Sequence, residues 1–329
     1  MWDLQSMSQV WQEKLNSSAK VVCFSPSGQY FAACDVDSFL TLWNARSCKE
    51  EKTTVVKGGV LSMAMQSDPE LLAIGLSLKK ALLLSVPDLQ EIAELQHGGD
   101  VRSLSFWPSG DVLAGGGGID DAVGLTTHKG RGSEMKTVLW KVSVNKCSCK
   151  HLGSVLFPAI VHAVAFSPSG KFLAAGGEDR TLTILLAEKG FQKINEFSCA
   201  ANVRCLAWSP NSQYLASGGE DMHITVWDLV TQCVAVQFPG SKHWHRNLAF
   251  SSSHSWLAAS CCANSEVTLH RMARGSDWNT RLPNKAPHQG GSAPHHSHTT
   301  GRAHRASLDA PRNRESSKSA GTVEPLLAA

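Results

Sequence analysis

Five basic side chains recur at one register of this sequence. Lys20, Arg102, His162, Arg204 and Arg246 each stand four residues before the aromatic residue that closes an apolar run: Phe24, Phe106, Phe166, Trp208 and Phe250. A sixth run ends at Met65 and has Leu61 at that place. Guanidinium, ammonium and imidazole groups without an accompanying nucleophile suit the recognition of carboxylates or phosphates better than bond-making. Two outcomes are open for the five. They can form a ring that focuses positive potential on one face and receives an acidic segment of a partner, or they can pair locally with turn acids such as Glu178, Asp179, Glu220 and Asp221. Trp244, two residues before Arg246, is a candidate anchor for such a partner or a tryptophan packed on its own strand.

Other chemistry finds little support in the residues. The sequence has no G-x-S-x-G, no Gly-rich loop ending in GK[ST] and no H-E-x-x-H. Gly115–Gly118 runs into Ile119-Asp120-Asp121 without the helix that a phosphate cradle needs. His243 and His245 offer two ligands where zinc sites hold at least three protein ligands. Cys147-Ser148-Cys149 and Cys261-Cys262 lack zinc-site spacing. His288, His295, His296, His298 and His304 belong to a polar tail. The reading is a non-enzyme with no catalytic residue, cofactor, metal or small-molecule substrate. Its rivals are an enzyme with a site depending on Arg102 or Asp121, and an RNA binder using the basic register and the tail.

The elements that must position these residues are repeated. Val203–Leu229 reads as three short strands: Val203–Trp208, Tyr214–Ser217 and Met222–Leu229. Ser209-Pro210-Asn211-Ser212 interrupts the first and second, because proline has no N–H for a ladder. Gly218-Gly219-Glu220-Asp221 reads as the next turn. The layout returns at Phe24, Met65, Phe106, Phe166, Trp208 and Phe250, at intervals of 41, 41, 60, 42 and 42 residues. The long interval is one period plus an insert of about 19 residues near 117–136, placed in a loop where repeat proteins often bind. Trp2, Trp43, Trp140 and Trp227 hold the end of the third strand, and Leu84, Leu185 and Leu269 replace it elsewhere.

On these residues (FSPSG…LAAGGEDRTLTI in 166–184, WSPNSQYLASGGEDMHITVWDL in 208–229 and FSPSGQYFAACDVDSFLTLWN in 24–44) the chain resembles the WD-repeat (WD40) family over roughly residues 1–272. The resemblance implies an all-β fold, a WD40-type β-propeller. It has six recognisable blades plus the last two strands of a seventh at the N-terminus, an incomplete seven-bladed ring. Met1-Trp2-Asp3-Leu4 is in phase with Trp43, and Ser8–Leu15 would be an outer strand. Either the ring closes with six blades, Ser8–Leu15 completing the last, or upstream residues supply the rest; the phase of Trp2 favours the second. The resemblance also makes Trp43, Trp140, Trp227, Asp228, Asp179 and Asp221 fold residues, with Asp37 doing the same work in the first blade, and puts the basic register near the central channel. It implies a scaffold in an intracellular multiprotein complex.

Composition agrees. Residues 273–329 carry 8 Lys and Arg against 4 Asp and Glu, the rest of the chain 23 against 24. The propeller is thus nearly neutral, and nothing demands nucleic acid. The tail is rich in Gly, Pro, Ser, His and Arg, reads as disordered, and mixes serine with basic residues at 302–307 and 316–319 as regulatory segments do. No apolar run reaches membrane-spanning length. MWDLQSMSQVWQEKL has no secretory pattern, so the ten cysteines are expected to be reduced thiols in cytoplasm or nucleus.

Overall fold

Three kinds of turn cut the chain into short strands, and each is fixed by one side chain. At the first, a serine hydroxyl accepts the N–H of the residue that opens the next strand: Tyr30 to Ser25 (3.0 Å), Phe172 to Ser167 (3.0 Å), Tyr214 to Ser209 (2.9 Å) and Trp256 to Ser251 (3.0 Å). Gly28, Gly110 and Gly170 take the left-handed φ that this turn requires. At the second turn a carboxylate accepts backbone N–H groups: Asp179 from Thr181 (3.0 Å) and Asp221 from His223 (3.1 Å). In the first blade this acid is Asp35, which accepts from Asp37 (3.1 Å) and Phe39 (2.9 Å), and not Asp37 as the sequence suggested. At the third, Asp228 accepts from Val230 (2.8 Å) and Thr231 (3.4 Å), and Asn44 from Arg46 and Ser47 (both 3.1 Å).

The computed structural model describes residues 1–3, 6, 8–118, 135–143, 148–253, 255–262 and 267–272. All described strands belong to one compact unit, Met1–Asn284. A second unit, Lys285–Ala329, lies outside the described residues, as do the tail as a whole, most of the insert, Cys147 and Asp121.

Six antiparallel sheets follow one another. Blade one is β3 (Ala19–Phe24), β4 (Tyr30–Asp35), β5 (Phe39–Asn44) and β6 (Lys49–Val55). Blade two is β7 (Val60–Ser67), β8 (Glu70–Leu76), β9 (Lys80–Ser85) and β10 (Glu91–Gln96). Blade three is β11 (Asp100–Phe106), β12 (Val112–Gly118), β13 (Lys136–Ser143) and β14 (Ser148–Leu156). Blade four is β15 (Val161–Phe166), β16 (Phe172–Gly177), β17 (Thr181–Leu186) and β18 (Gln192–Ser198). Blade five is β19 (Val203–Trp208), β20 (Tyr214–Gly219), β21 (Ile224–Asp228) and β22 (Cys233–Phe238). Blade six has three strands among the described residues, β23 (His245–Phe250), β24 (Trp256–Cys261) and β25 (Val267–Arg271).

Ahead of blade one, β1 (Trp2–Asp3) pairs with β2 (Ser8–Gln9). Trp2 faces Gln9, as Trp43 faces Glu50 and Trp227 faces Val234, always seven residues on. The pair therefore has the register of a third and fourth strand. One expectation is corrected here: the strand expected over Ser8–Leu15 ends at Gln9. It pairs with β1, and of the two alternatives held open for the ring, the described residues do not show the one in which it completes blade six. Trp11 and Leu15 instead pack on blade one, with Trp11 5.3 Å from Phe31 and 6.0 Å from Trp43, ring centre to ring centre.

Each blade buries its faces between its neighbours. Met63 and Met65 of blade two pack on Ala32, Leu40 and Leu42 of blade one, and the arrangement repeats through blade six, where Leu248 and Phe250 lie on Ala216. The Gly-Gly pairs serve this packing. Sequence placed Gly218-Gly219 in the turn; both lie inside β20. A Cβ on Gly218 would sit 2.9 Å from the Cβ of His245 in the next blade, and one on Gly219 would sit 1.9 Å from the carbonyl oxygen of Asn202. Gly176 and Gly177 repeat the pattern against Val203 and the carbonyl of Ile160. Close backbone approach, not positive φ, selects glycine there.

Because Asn202 O is backbone and cannot swing aside, Gly219→Ala is expected to destabilise by roughly 1–3 kcal/mol, the range of overpacking strain. Gly153→Ala, where a Cβ meets nothing within 4 Å, is the control. Urea unfolding of both variants measures the difference.

Candidate functional site

The innermost strands β3, β7, β11, β15, β19 and β23 line one central cavity of about 650 Å³. Every one of them carries a β-bulge against its second strand, between Ala19 and Val21, Val60 and Ser62, Val101 and Ser103, Val161 and Ala163, Val203 and Cys205, and His245 and Asn247. The residue left over at each bulge is Lys20, Leu61, Arg102, His162, Arg204 or Arg246. The basic register is thus the bulge register. A bulge removes one residue from the ladder and re-aims its side chain, and all six of these residues line the cavity.

Three of the basic groups are engaged. Arg204 donates to Glu220 through Nε (2.8 Å) and through Nη2. Asn202 also donates to Glu220, at 2.9 Å. His162 Nε2 lies 2.9 Å from Glu178 Oε1, and Arg204 Nη1 approaches the same ring at 2.7 Å from Nε2 and 3.2 Å from Nδ1. Arg102 is 3.6 Å from Asp100. The local pairing held open from sequence therefore occurs, with Glu178, Glu220 and Asp100 as acids, while Asp179 and Asp221 hold turns. Lys20 and Arg246 are exposed and have no ion-pair partner among the described residues. Trp244 is 43% exposed, and its ring lies 5.9 Å from the Arg204 guanidinium carbon, within cation–π range. The insert leaves from Gly118, which pairs with Asp100, two residues from Arg102.

The histidines are structural in their contacts. His245 opens β23, is buried and meets the carbonyl of Met222 at 3.1 Å; Cys261 Sγ is 3.6 Å from its other nitrogen. His97, buried, has Nε2 3.1 Å from the carbonyl oxygen of Gly115, and its Nδ1 lies beside the backbone of Gly99, 3.0 Å from the carbonyl oxygen and 3.4 Å from the N–H. Burial lowers the pKa of His97, His162 and His245, and the nearby Arg204 lowers that of His162 further. Among the described residues no group of three or more His, Cys, Asp or Glu side chains could hold a metal. All nine described cysteines are free thiols. Burial pushes Cys23 up to about 12, Cys34 to about 11 and Cys199 to about 12, so these three are poor nucleophiles at neutral pH.

Trp227, Trp140 and Trp43 are buried at the third-strand position. Trp227 donates to Ser217 (2.8 Å), Trp43 stacks on Phe31 at 4.9 Å, and Trp140 covers Gly115.

Sheets arranged around a cavity, each packed on the next, define a β-propeller, here of six blades. A family model described as "WD domain, G-beta repeat" matches residues 14–44, 149–184 and 191–228, and the chain is a WD-repeat β-propeller of that family. No curated protein gives a match. WD-repeat propellers are typically scaffolds for protein interaction and in general not enzymes. No helix among the described residues is long and apolar enough to cross a membrane.

Two expectations follow from the histidines. Each has a folded pKa below its unfolded value, so the unfolded state binds more protons as pH falls through about 6.5. Stability is full above that pH and declines below it; Tm measured from pH 7.5 down to 5 should fall, and less so in His97→Asn. In Arg204→Gln the His162 ring loses a repelling cation, and its NMR titration should move to higher pH.

Proposed function

We propose that this chain is a non-enzymatic interaction platform that docks partner proteins on the face where the six bulges emerge. The observation that supports this reading is the coincidence of bulge and basic residue at five of six innermost strands, beside an exposed Trp244. Arg102, His162 and Arg204, held by acids, form a polar floor with fixed geometry. Lys20 and Arg246 keep unspent positive charge, and Trp244 supplies an aromatic anchor of the kind enriched at interface hot spots. An acidic segment of a partner fits this arrangement: its carboxylates reach Lys20 and Arg246 while its apolar part covers the indole.

The test is capture from cell extract with the intact chain and with Lys20→Glu/Arg246→Glu/Trp244→Ala. These three side chains are exposed, so the fold should survive, as circular dichroism would check. Partners held by the first and lost by the second are the expected result. Identical partners on both would reject the face, and capture of RNA with steep salt dependence would replace the reading with nucleic-acid binding.

A further inference from the structure

One position recurs between the fourth strand of each blade and the innermost strand of the next. Val56, His97, Phe157, Cys199 and Ser241 stand four residues before Val60, Val101, Val161, Val203 and His245. Each donates its N–H, at 2.8–2.9 Å, to a carbonyl just ahead of the third strand of its own blade: Ser38, Lys79, Met135, Arg180 and Met222. The shared backbone bond makes the five side chains equivalent.

What fills the space beside them differs. Val56 is buried in the core shared by blades one and two, and Phe157 packs on that of blades three and four. Beside Ser241, Cys261 Sγ closes to 3.3 Å from the hydroxyl. His97 puts its imidazole into blade three, 6.1 Å from Trp140 between ring centres and 3.1 Å from the Gly115 carbonyl oxygen. At Cys199 the side chain is a short thiol, and a cavity of about 240 Å³ lies beside it.

The counterparts of the groups around His97 line this cavity. Ser217 faces Leu206 as Gly115 faces Leu104, and Trp227 faces Leu215 as Trp140 faces Leu113. Ser217 and Trp227 are both in the lining, with Asp221. Ser217 Oγ accepts the Trp227 indole N–H (2.8 Å) and donates to the Thr225 carbonyl (3.4 Å), which leaves a lone pair for a further donor. Asp221 Oδ1 accepts the His223 N–H at 3.1 Å, and a carboxylate has capacity for more. The surroundings are negative as well as dry: burial, with the carboxylates of Asp221 and Asp179, pushes the Cys199 thiol up to about 12. A ligand here must be small, flat against an indole and a donor of N–H groups.

We infer that this cavity binds an imidazole ring, with Ser217 and Asp221 as acceptors for its N–H groups and Trp227 as its apolar wall. Blade three carries the same ring at the same place on the chain itself. Protonated, the ring has one N–H for each acceptor. It can come from a free small molecule or from a histidine of this chain, whose tail, outside the described residues, holds His288, His295, His296, His298 and His304. No residue of the basic register lines the cavity, so the inference does not depend on the docking face.

The probe is imidazole, titrated into the full chain while NMR follows the indole N–H signals, that of Trp227 being assigned through Trp227→Phe. The Trp227 signal should move saturably at millimolar imidazole, as suits so small a ligand. Cys199→His, which supplies the ring as His97 does, should abolish the shift, and Cys199→Ser should keep it. Asp221→Asn, which retains an acceptor for the turn, should weaken binding about tenfold. Asp37→Asn, at an exposed turn, should leave it unchanged. Circular dichroism checks each fold. Changing the five tail histidines to alanine in the full chain separates the sources. Unchanged binding assigns the ring to a source outside the chain, and binding that tightens or first appears assigns it to the tail. Absence of a saturable shift in both chains overturns the inference, as does undiminished binding by folded Cys199→His or by Asp221→Asn.

Discussion

The structure depends on one repeated contact, a pair of bulky side chains from one blade's innermost strand seated on an alanine of the blade before. The alanine leaves room for the pair, and the glycine two residues further on lets the next backbone close in, as at Ala216 and Gly218. Each large apolar side chain so buried contributes about 1.5–3 kcal/mol, but only when the neighbour is present. A single blade exposes both faces and has no core of its own. Stability is therefore a property of the series, with nearest-neighbour terms of similar size along it.

The same contact accounts for the candidate site. The innermost strand must pass over the glycine and then turn its bulky residues onto the alanine. The bulge near its start accommodates the change of direction, and it frees one side chain per blade from the ladder. Six equivalent bulges deliver six side chains to one cavity mouth. The chemistry of the face is set by what the sequence puts at one position of each repeat.

Much of this was legible in the sequence, because spacing and turn residues carry it. The strands of blade five were read to within two residues, since Pro210 and the Gly-Glu-Asp turn bracket them. The basic register was visible from Lys20 to Arg246, but its cause was not: a bulge leaves no residue signature of its own when the extra residue turns out of the ladder to line a cavity. Gly218 and Gly219 were misplaced because a turn glycine and a close-packing glycine look alike in one dimension. Asp35 and Asp37 could not be told apart, since both sit near the turn and only the backbone path decides which carboxylate reaches the N–H of Phe39. The pairings of Arg204 with Glu220 and of His162 with Glu178 join residues 16 apart across a hairpin, and were suggested only as one of two outcomes.

The family matches at 149–184 and 191–228 begin on the fourth strand of one blade, or just before it, and end on the third strand of the next. Covalent unit and packed unit are thus out of step by one strand. Each repeat, as the family model bounds it, spans a blade boundary: one stretch of chain supplies the outer edge of one sheet and the inner strands of the next, so displacing it disturbs two sheets at once.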